Sequence, residues 1–432
     1  MTEPDFRTRI ATLRQYAAER AEAGDAAEVR RAGDALLSVD DSELKRAEPD
    51  LTRNMLDAVS SMVAVGDSQR AEVLLMKGIQ ALSANPQATK VDLIIPLHNL
   101  MAVYDERGDI PRRNQAAGAI GRIAEQLDEP LTPGAAGVLL ELGRLLEQVG
   151  NINGTLVMYR PVHAYMIATA AADPDTVLTW TMTYASALMS AGRHDDVIAV
   201  CRQALEVSGA AGVTPGRKVE VFGVLAMAAT RKQDASAAAE ALERGAAVAE
   251  SLETSETALD PRVAAAAGAV YHNLAGLYVQ QQRSDKYERA EALMRRALAI
   301  VLQQRGEGTA EHAGALGQLA VIVELRGDLD AAERLYTESV ATYEAARDTP
   351  RAEFSDFLTD FGLMQLRRGR PADAVAPLLR AVSLREGTPD ESPTRRASAA
   401  SNLATAYFQS GELGPATREF TRALDLRFAA EA

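Results

Sequence analysis

Apolar residues recur along the chain at the spacing of amphipathic helices, and polar or glycine-containing turns separate one apolar stripe from the next. On either side of Gly411, the two stripes consist of Leu403, Ala404 and Tyr407, then Ala416, Phe420, Ala423 and Leu424. Glycine here suits a helix C-terminus that needs positive φ before a new helix begins. No segment sustains the two-residue alternation of a β-strand, so the pattern predicts an all-α fold of helical hairpins.

The turn glycine recurs at a fixed interval of 42 residues, at Gly24, Gly66, Gly108, Gly150 and Gly192, and again at Gly327, Gly369 and Gly411. Seven residues earlier lies a ladder of mostly small residues: Ala17, Val59, Met101, Gly143, Ala185, Ala226, Ala275, Ala320, Gly362 and Ala404. The ladder predicts ten units, with insertions near residues 251–262 and 280–287. Small ladder residues let paired helices approach closely, so Val59 and Met101 predict shifted packing in their units.

The last four units carry the pattern L-[G/A]-x2-Y, a turn, then A-x3-[F/Y]-x2-A, most fully in residues 403–423. This pattern resembles the tetratricopeptide repeat, and the 42-residue period resembles the kinesin-light-chain type of that repeat. The resemblance implies a right-handed α-solenoid with a concave face lined by the first helix of each unit. It divides the chain into six degenerate units (residues 1–250) and four near-consensus units (residues 251–432), which we expect to form one continuous solenoid.

Composition narrows the function classes. The 432 residues include 46 Lys and Arg against 60 Asp and Glu, a net charge of −14, which disfavours binding to a phosphate backbone. Cys201 is the single cysteine, so we expect a reducing compartment and no disulfide. The N-terminal residues have no apolar signal region and no apolar run reaches a membrane span. We therefore expect a cytoplasmic protein that binds neither nucleic acid nor membrane.

Motifs for catalysis are missing from the sequence. The five histidines form no HExxH pair, and there is no phosphate-binding GxxxxGK loop, GxSxG elbow or EF-hand loop. Cys201 falls at a core position of its unit and is expected to be a buried small hydrophobe rather than a nucleophile, and Trp180 is expected to pack. We expect no enzymatic activity, no cofactor and no metal site.

In repeats of this type, the resemblance implies that the residue two before the ladder position faces the groove. That register contains Gln15, Asp57, Asn99, Glu141, Thr183, Val224, Asn273, Gln318, Asp360 and Asn402. Asparagine is a poor helix former, so its return at Asn99, Asn273 and Asn402 favours amides that bind a peptide backbone. The alternative is a solvated stripe that needs only to be polar.

Four further residues are expected at the groove. His98 and His272 each precede a register asparagine and should lie at its wall. Arg53 and Arg144 either anchor acidic groups of a ligand or pair with Asp57 or Glu141 on adjacent turns. The cluster Arg367, Arg368 and Arg370 lies at a turn and is expected to be solvated.

At the C-terminal end, Phe420, Leu424 and Phe428 can be covered only in part by the preceding unit, which predicts contact with another subunit or a partner. The sequence thus predicts a non-catalytic scaffold or adaptor that holds an extended peptide or a partner helix in its groove. The alternative is a regulator whose curvature changes when a ligand or peptide binds, with the irregular segment 226–320 as its bistable element.

Overall fold

The chain folds into ten consecutive helical hairpins, as a computed structural model shows for residues 3–170, 173–209, 214–253, 260–347, 349–388 and 391–431. The predicted insertion near residues 251–262 lies partly outside these described residues. The hairpins group into two compact units, an N-terminal unit, Met1–Val213, and a C-terminal unit, Thr214–Ala432. The described residues are helices, turns and loops without a β-strand, so the predicted all-α fold is confirmed.

The N-terminal unit contains hairpins 1 to 5. Its helices are α1 (Glu3–Glu22), α2 (Ala26–Leu37), α3 (Asp41–Leu44), α4 (Pro49–Leu56), α5 (Val59–Ala64), α6 (Ser68–Ala84), α7 (Ile94–Glu106), α8 (Ile110–Glu125), α9 (Pro133–Gln148), α10 (Ile152–Ala168), α11 (Pro174–Ser190) and α12 (His194–Val207). Hairpin 1 pairs α1 with α2, and hairpins 3, 4 and 5 pair α7 with α8, α9 with α10 and α11 with α12. In hairpin 2, α4 and α5 together form the first helix and α6 the second.

The C-terminal unit contains hairpins 6 to 10, each made of two consecutive helices. These are α13 (Pro215–Arg231), α14 (Ala235–Glu253), α15 (Pro261–Gln280), α16 (Tyr287–Arg305), α17 (Ala310–Leu325), α18 (Leu329–Ala345), α19 (Arg351–Arg367), α20 (Pro371–Glu386), α21 (Pro393–Gln409) and α22 (Leu413–Glu431). Short 3-10 turns, Lys90–Leu93 and Ser284–Lys286, precede α7 and α16.

Every hairpin turns at a residue in the left-handed region. All eight predicted glycines have φ between 68° and 91°. Hairpins 6 and 7 place Gln233 (φ 60°) and Gln282 (φ 53°) there instead, seven residues after Ala226 and Ala275. In several hairpins the next residue is an aspartate whose carboxylate accepts from the N-terminal amides of the second helix, as Asp67 does from Arg70 N.

The small-residue ladder sets the helix spacing within each hairpin. Ala185, Ala275 and Ala404 are fully buried, and a Cβ atom on Gly362 would overlap Leu378. The two predicted exceptions do pack differently. The first helix of hairpin 2 is interrupted just before Val59, and Met101 is only half-buried.

In hairpins 3, 8 and 9, the arginine that precedes the turn residue joins the hairpin to the one before it. Arg107, Arg326 and Arg368 bind glutamates 35 residues earlier: Glu72, Glu291 and Glu333. The Arg368 side chain is only 11% exposed, and Arg367 and Arg370 also bind glutamates of the C-terminal unit. The expectation of a solvated arginine cluster is therefore wrong for Arg368, which the adjacent hairpin covers, while Arg367 and Arg370 are exposed as expected.

Candidate functional site

The predicted groove register lies on the solvent-accessible face of the first helices. Gln15, Asp57, Glu141 and Asn273 are exposed, while Asn99, Thr183, Val224, Gln318, Asp360 and Asn402 are half-buried. Two residues later, nine of the ten ladder residues are buried, and Met101 is half-buried. The helical repeat thus separates a buried small face from an accessible polar face on the same helices.

Two contacts join the accessible faces of consecutive hairpins in the N-terminal unit. Arg14 Nη1 lies 3.1 Å from Asp57 Oδ2, which links hairpins 1 and 2. His98 Nε2 lies 3.7 Å from Glu141 Oε2, which links hairpins 3 and 4. Register residues of hairpins 2 and 4 are therefore within reach of the preceding hairpin's face.

Neither predicted arginine pairs with its register neighbour. Arg53 binds Asp50 on its own helix and Asp92, which caps the 3-10 turn before α7. Arg144 is exposed and forms no ion pair within the described residues. Of the two, Arg144 is the one whose guanidinium is left for a ligand.

The three register asparagines keep their amides available. Asn99, Asn273 and Asn402 make no side-chain hydrogen bond to any part of the chain that the structure describes. An amide presents two donors and an acceptor with two lone pairs, so each of the three can pair with the backbone of a bound segment. Thr183 differs, since its hydroxyl lies 3.5 Å from the Thr179 carbonyl of its own helix.

Two register-face groups of the C-terminal unit have shifted pKa values. Burial lowers the pKa of His272, against an opposing contribution from Glu353. Burial, together with Asp356 and Glu324, raises the pKa of Asp360 to about 6, against Arg367. Both groups therefore favour their neutral forms near neutral pH more than an exposed side chain would.

A cleft of about 750 Å³ opens between hairpins 3 and 4. Its walls come from α7 to α10 and include Met101, Leu145 and Val149, with His98 and Glu141 of the predicted groove at its edge. Leu145 is 51% exposed and Val149 78%. Exposed apolar side chains in a concave surface are typical of binding sites.

At this cleft, hairpin 3 lacks the large residue that faces the ladder in most hairpins. Sixteen residues after the ladder position stand Tyr159, Tyr336 and Leu378 in hairpins 4, 8 and 9, but Ala117 in hairpin 3. Ala117 and the adjacent Gly118 both line the cleft. Neither residue was predicted from the sequence, although the alignment of the repeats reveals the substitution.

Two residues weighed for chemistry are packing residues. Trp180 is buried, with its ring edge-on to Tyr159 at a centroid distance of 4.8 Å. Cys201 is fully buried, which raises the pKa of its thiol to about 12. A thiol of this kind is a poor nucleophile at neutral pH, in agreement with the expected core role.

The C-terminal helix presents a continuous apolar stripe. Phe420, Leu424 and Phe428 follow one another at four-residue spacing and are 40%, 54% and 67% exposed. Phe408 and Leu413, at the preceding turn, are also exposed. The structure therefore leaves this predicted edge open to solvent.

Stacked helical hairpins with a buried small-residue ladder and an accessible polar register define a helical-repeat scaffold. The tetratricopeptide repeat family matches residues 266–345, which cover hairpins 7 and 8. The tetratricopeptide repeat that the sequence pattern predicted is thus confirmed for these two hairpins. No curated protein matches it in sequence.

Several solved structures are similar to this chain at low sequence identity. The apo form of RapI is 12% identical, with 88% of this chain and 98% of that chain covered and a TM-score of 0.44. A putative kinesin light chain of nearly identical TPR-like repeats from Podosopora anserina is 19% identical (50% and 96% covered, TM-score 0.39). YrrB, a TPR protein with an unusual peptide-binding site, is 16% identical (51% and 91% covered, TM-score 0.36).

The described residues contain neither a membrane-spanning helix nor a metal-binding cluster. None of their helices is both long and apolar enough to cross a membrane. Within the same residues, no group of three or more His, Cys, Asp or Glu side chains could hold a metal ion.

Proposed function

We propose that this protein is a non-catalytic interaction scaffold that binds an extended peptide or a partner helix along the accessible face of its first helices. The observation that carries the proposal is the set of amides on Asn99, Asn273 and Asn402. These groups recur at one register, two residues before a ladder position, and are not used by the described residues. Polar side chains that fold stability does not require are candidates for ligand recognition.

The physical basis is backbone pairing. An extended segment exposes one amide donor and one carbonyl acceptor at each residue, and a side-chain amide satisfies both. Amides repeated on successive helices would hold the segment without reading its sequence, and neighbouring side chains would add specificity. Asn99 serves the N-terminal unit, and Asn273 and Asn402 serve the C-terminal unit.

The test is selection from a random peptide library displayed on phage against the full chain, followed by affinity measurements on the enriched peptides. We expect the triple variant Asn99→Ala, Asn273→Ala, Asn402→Ala to bind them at least about tenfold more weakly, the equivalent of about 1.4 kcal/mol. A matched control replaces exposed polar residues of second helices, Gln115→Ala, Gln303→Ala and Thr421→Ala. Equal affinities of the two triple variants would overturn the role of the asparagines.

The same peptides separate a passive scaffold from the regulatory alternative. X-ray scattering of the chain with and without an enriched peptide measures its radius of gyration. An unchanged radius favours the scaffold. A reproducible change on binding favours the regulator.

A further inference from the structure

We infer that the cleft between hairpins 3 and 4 receives a large apolar side chain of the bound peptide, and that Glu141 at its rim selects a lysine or arginine next to that side chain. The inference rests on the proposed peptide binding and specifies which peptides the N-terminal unit accepts. It is carried by the volume of the cleft, the exposure of its apolar wall and the charge at its edge.

The apolar side chains that line the cleft are left exposed to solvent. Leu145 and Val149 lie one helical turn apart on the C-terminal part of α9 and its cap and remain 51% and 78% exposed. Met101 lines the cleft from α7, where most hairpins bury a small residue. Covering these side chains with an aliphatic or aromatic group removes apolar surface from water, which is the main source of affinity in such pockets.

A small residue at the position of Ala117 does not open a cleft by itself, since hairpin 5 has Cys201 there and Cys201 is fully buried. Hairpin 1 also lacks a large residue at the position of Ala117, where it has Gly33, but there Met62 Cε occupies the space, 2.9 Å from where a Cβ atom on Gly33 would lie. In hairpin 3, Ala117 and Gly118 instead face the open cleft. A ligand side chain can therefore take the place that a leucine or tyrosine has in the repeat pattern.

The charge at the rim favours a basic neighbour. Asp105 and Glu141 both line the cleft, and Asp105 Oδ1 is bound by Arg113 Nη1 at 2.9 Å. Glu141 is 61% exposed, and the basic side chain that contacts it is His98, whose Nε2 lies 3.7 Å from Glu141 Oε2, beyond ordinary hydrogen-bond length. A lysine or arginine of the ligand would form a charge-assisted hydrogen bond to this carboxylate.

The test uses the phage-selected peptides and the full chain. We expect their consensus to place a large apolar residue beside lysine or arginine. Ala117→Leu fills the cleft with the side chain that the repeat favours, so we expect peptide affinity to fall at least about tenfold while the melting temperature stays the same or rises. A loss of binding in a fully folded variant cannot be ascribed to unfolding.

Two further variants separate the apolar and charged parts. Leu145→Gln with Val149→Gln should abolish the apolar preference, whereas the matched pair Val73→Gln with Met76→Gln, about half exposed on α6, should not. Glu141→Gln should remove the basic preference, whereas Glu125→Gln, exposed on α8 outside the cleft lining, should retain it.

The outcomes are distinguishable. Enriched peptides whose consensus and affinity are unchanged by Ala117→Leu would overturn this inference and leave the proposed function standing. A library that yields no peptide above background would overturn both.

Discussion

The absent side chain of Gly143 makes room for the ring of Tyr159, because a Cβ atom on Gly143 would overlap Cε1 and Cδ1 of that ring. The Tyr159 hydroxyl then reaches Glu147 Oε2 at 3.1 Å, one turn further along α9. Glycine in the middle of α9 thus permits an aromatic ring to be buried and a hydrogen bond to form between the two helices of hairpin 4.

Gly143→Ala should destabilise the chain by about 1–3 kcal/mol, since Tyr159 is fully buried and has little room to move. Gly137→Ala on the same helix is the matched control, because no side chain approaches its Cβ position. That control should gain up to about 1 kcal/mol from helix propensity. Urea unfolding of both variants decides the matter, and equal changes would contradict the close-packing role of the ladder.

The two glutamines in the left-handed region predict the opposite effect. Gln233→Gly and Gln282→Gly relieve a conformation that costs a side chain roughly 1–2 kcal/mol, and each should raise stability by up to about 1 kcal/mol after the entropy cost of glycine. Gly192→Gln, at the equivalent turn of hairpin 5, should lower stability. Thermal melting measures all three, and a loss of stability in both glycine variants would refute the prediction.

The raised pKa of Asp360 predicts that the stability of the folded chain decreases as the pH rises. Its pKa is raised from 3.8 to about 6 in the folded chain, so folding favours the protonated form. The stability that this group contributes is present in full below pH 3.8 and is lost as the pH rises through 6. Asp360→Asn should therefore raise the melting temperature relative to the unmodified chain at about pH 7.5 and leave it nearly unchanged at about pH 4.

The control for that prediction is Asp425→Asn, at an exposed position of α22. The effect of Asp360→Asn on the melting temperature at each pH is compared with the effect of this control. If Asp360→Asn changed the melting temperature equally at both pH values, the pKa of the Asp360 carboxyl would not be raised in the folded chain.

An ion pair between two hairpins should contribute more to stability than an exposed pair within one helix. Glu333→Gln removes the carboxylate that binds Arg368 at 2.6 Å and Gln365 at 2.7 Å, and we expect a loss of about 1–3 kcal/mol. Glu240→Gln breaks an exposed pair with Arg244 at 3.6 Å and should cost less than about 0.5 kcal/mol. The measurement is the free energy of unfolding in denaturant. Equal losses in the two variants would contradict the prediction that the pair between hairpins contributes more.

The exposed stripe of α22 predicts self-association. We expect light scattering at micromolar concentration to detect a species larger than one chain, because Phe420, Leu424 and Phe428 form an uncovered apolar face. Leu424→Glu should reduce that species without a change in helicity, whereas Val207→Glu, at an exposed apolar position on α12, should not. A strict monomer in the unmodified chain would contradict the prediction.

The sequence predicted what depends on local geometry and repetition. The 42-residue interval located all eight turn glycines, because a hairpin turn imposes the same backbone conformation each time. Gln233 and Gln282 escaped a search for glycine, although the seven-residue offset from the ladder points to them. The same offset shows that position in the repeat, and not residue type alone, determines the conformation.

Less of the candidate site than of the fold could be predicted from the sequence. The polarity of the register could be read directly, but the partners of Arg53 could not, since Asp92 lies 39 residues away in the next hairpin. The cleft could not be predicted from Ala117 alone, because its volume depends on how the helices around that residue pack. Arg368 was misread because a charged turn is usually solvated, whereas here the neighbouring hairpin covers it.

The burial of Cys201 has a practical consequence. A thiol that is fully buried and whose pKa is raised to about 12 reacts with a disulfide reagent only when α12 separates from its neighbours. Because this chain has no other cysteine, the labelling rate in native buffer measures how often hairpin 5 opens. The labelling rate of Cys201 thus reports the local opening of hairpin 5. A peptide that binds to hairpin 5 and stabilises it would lower that rate.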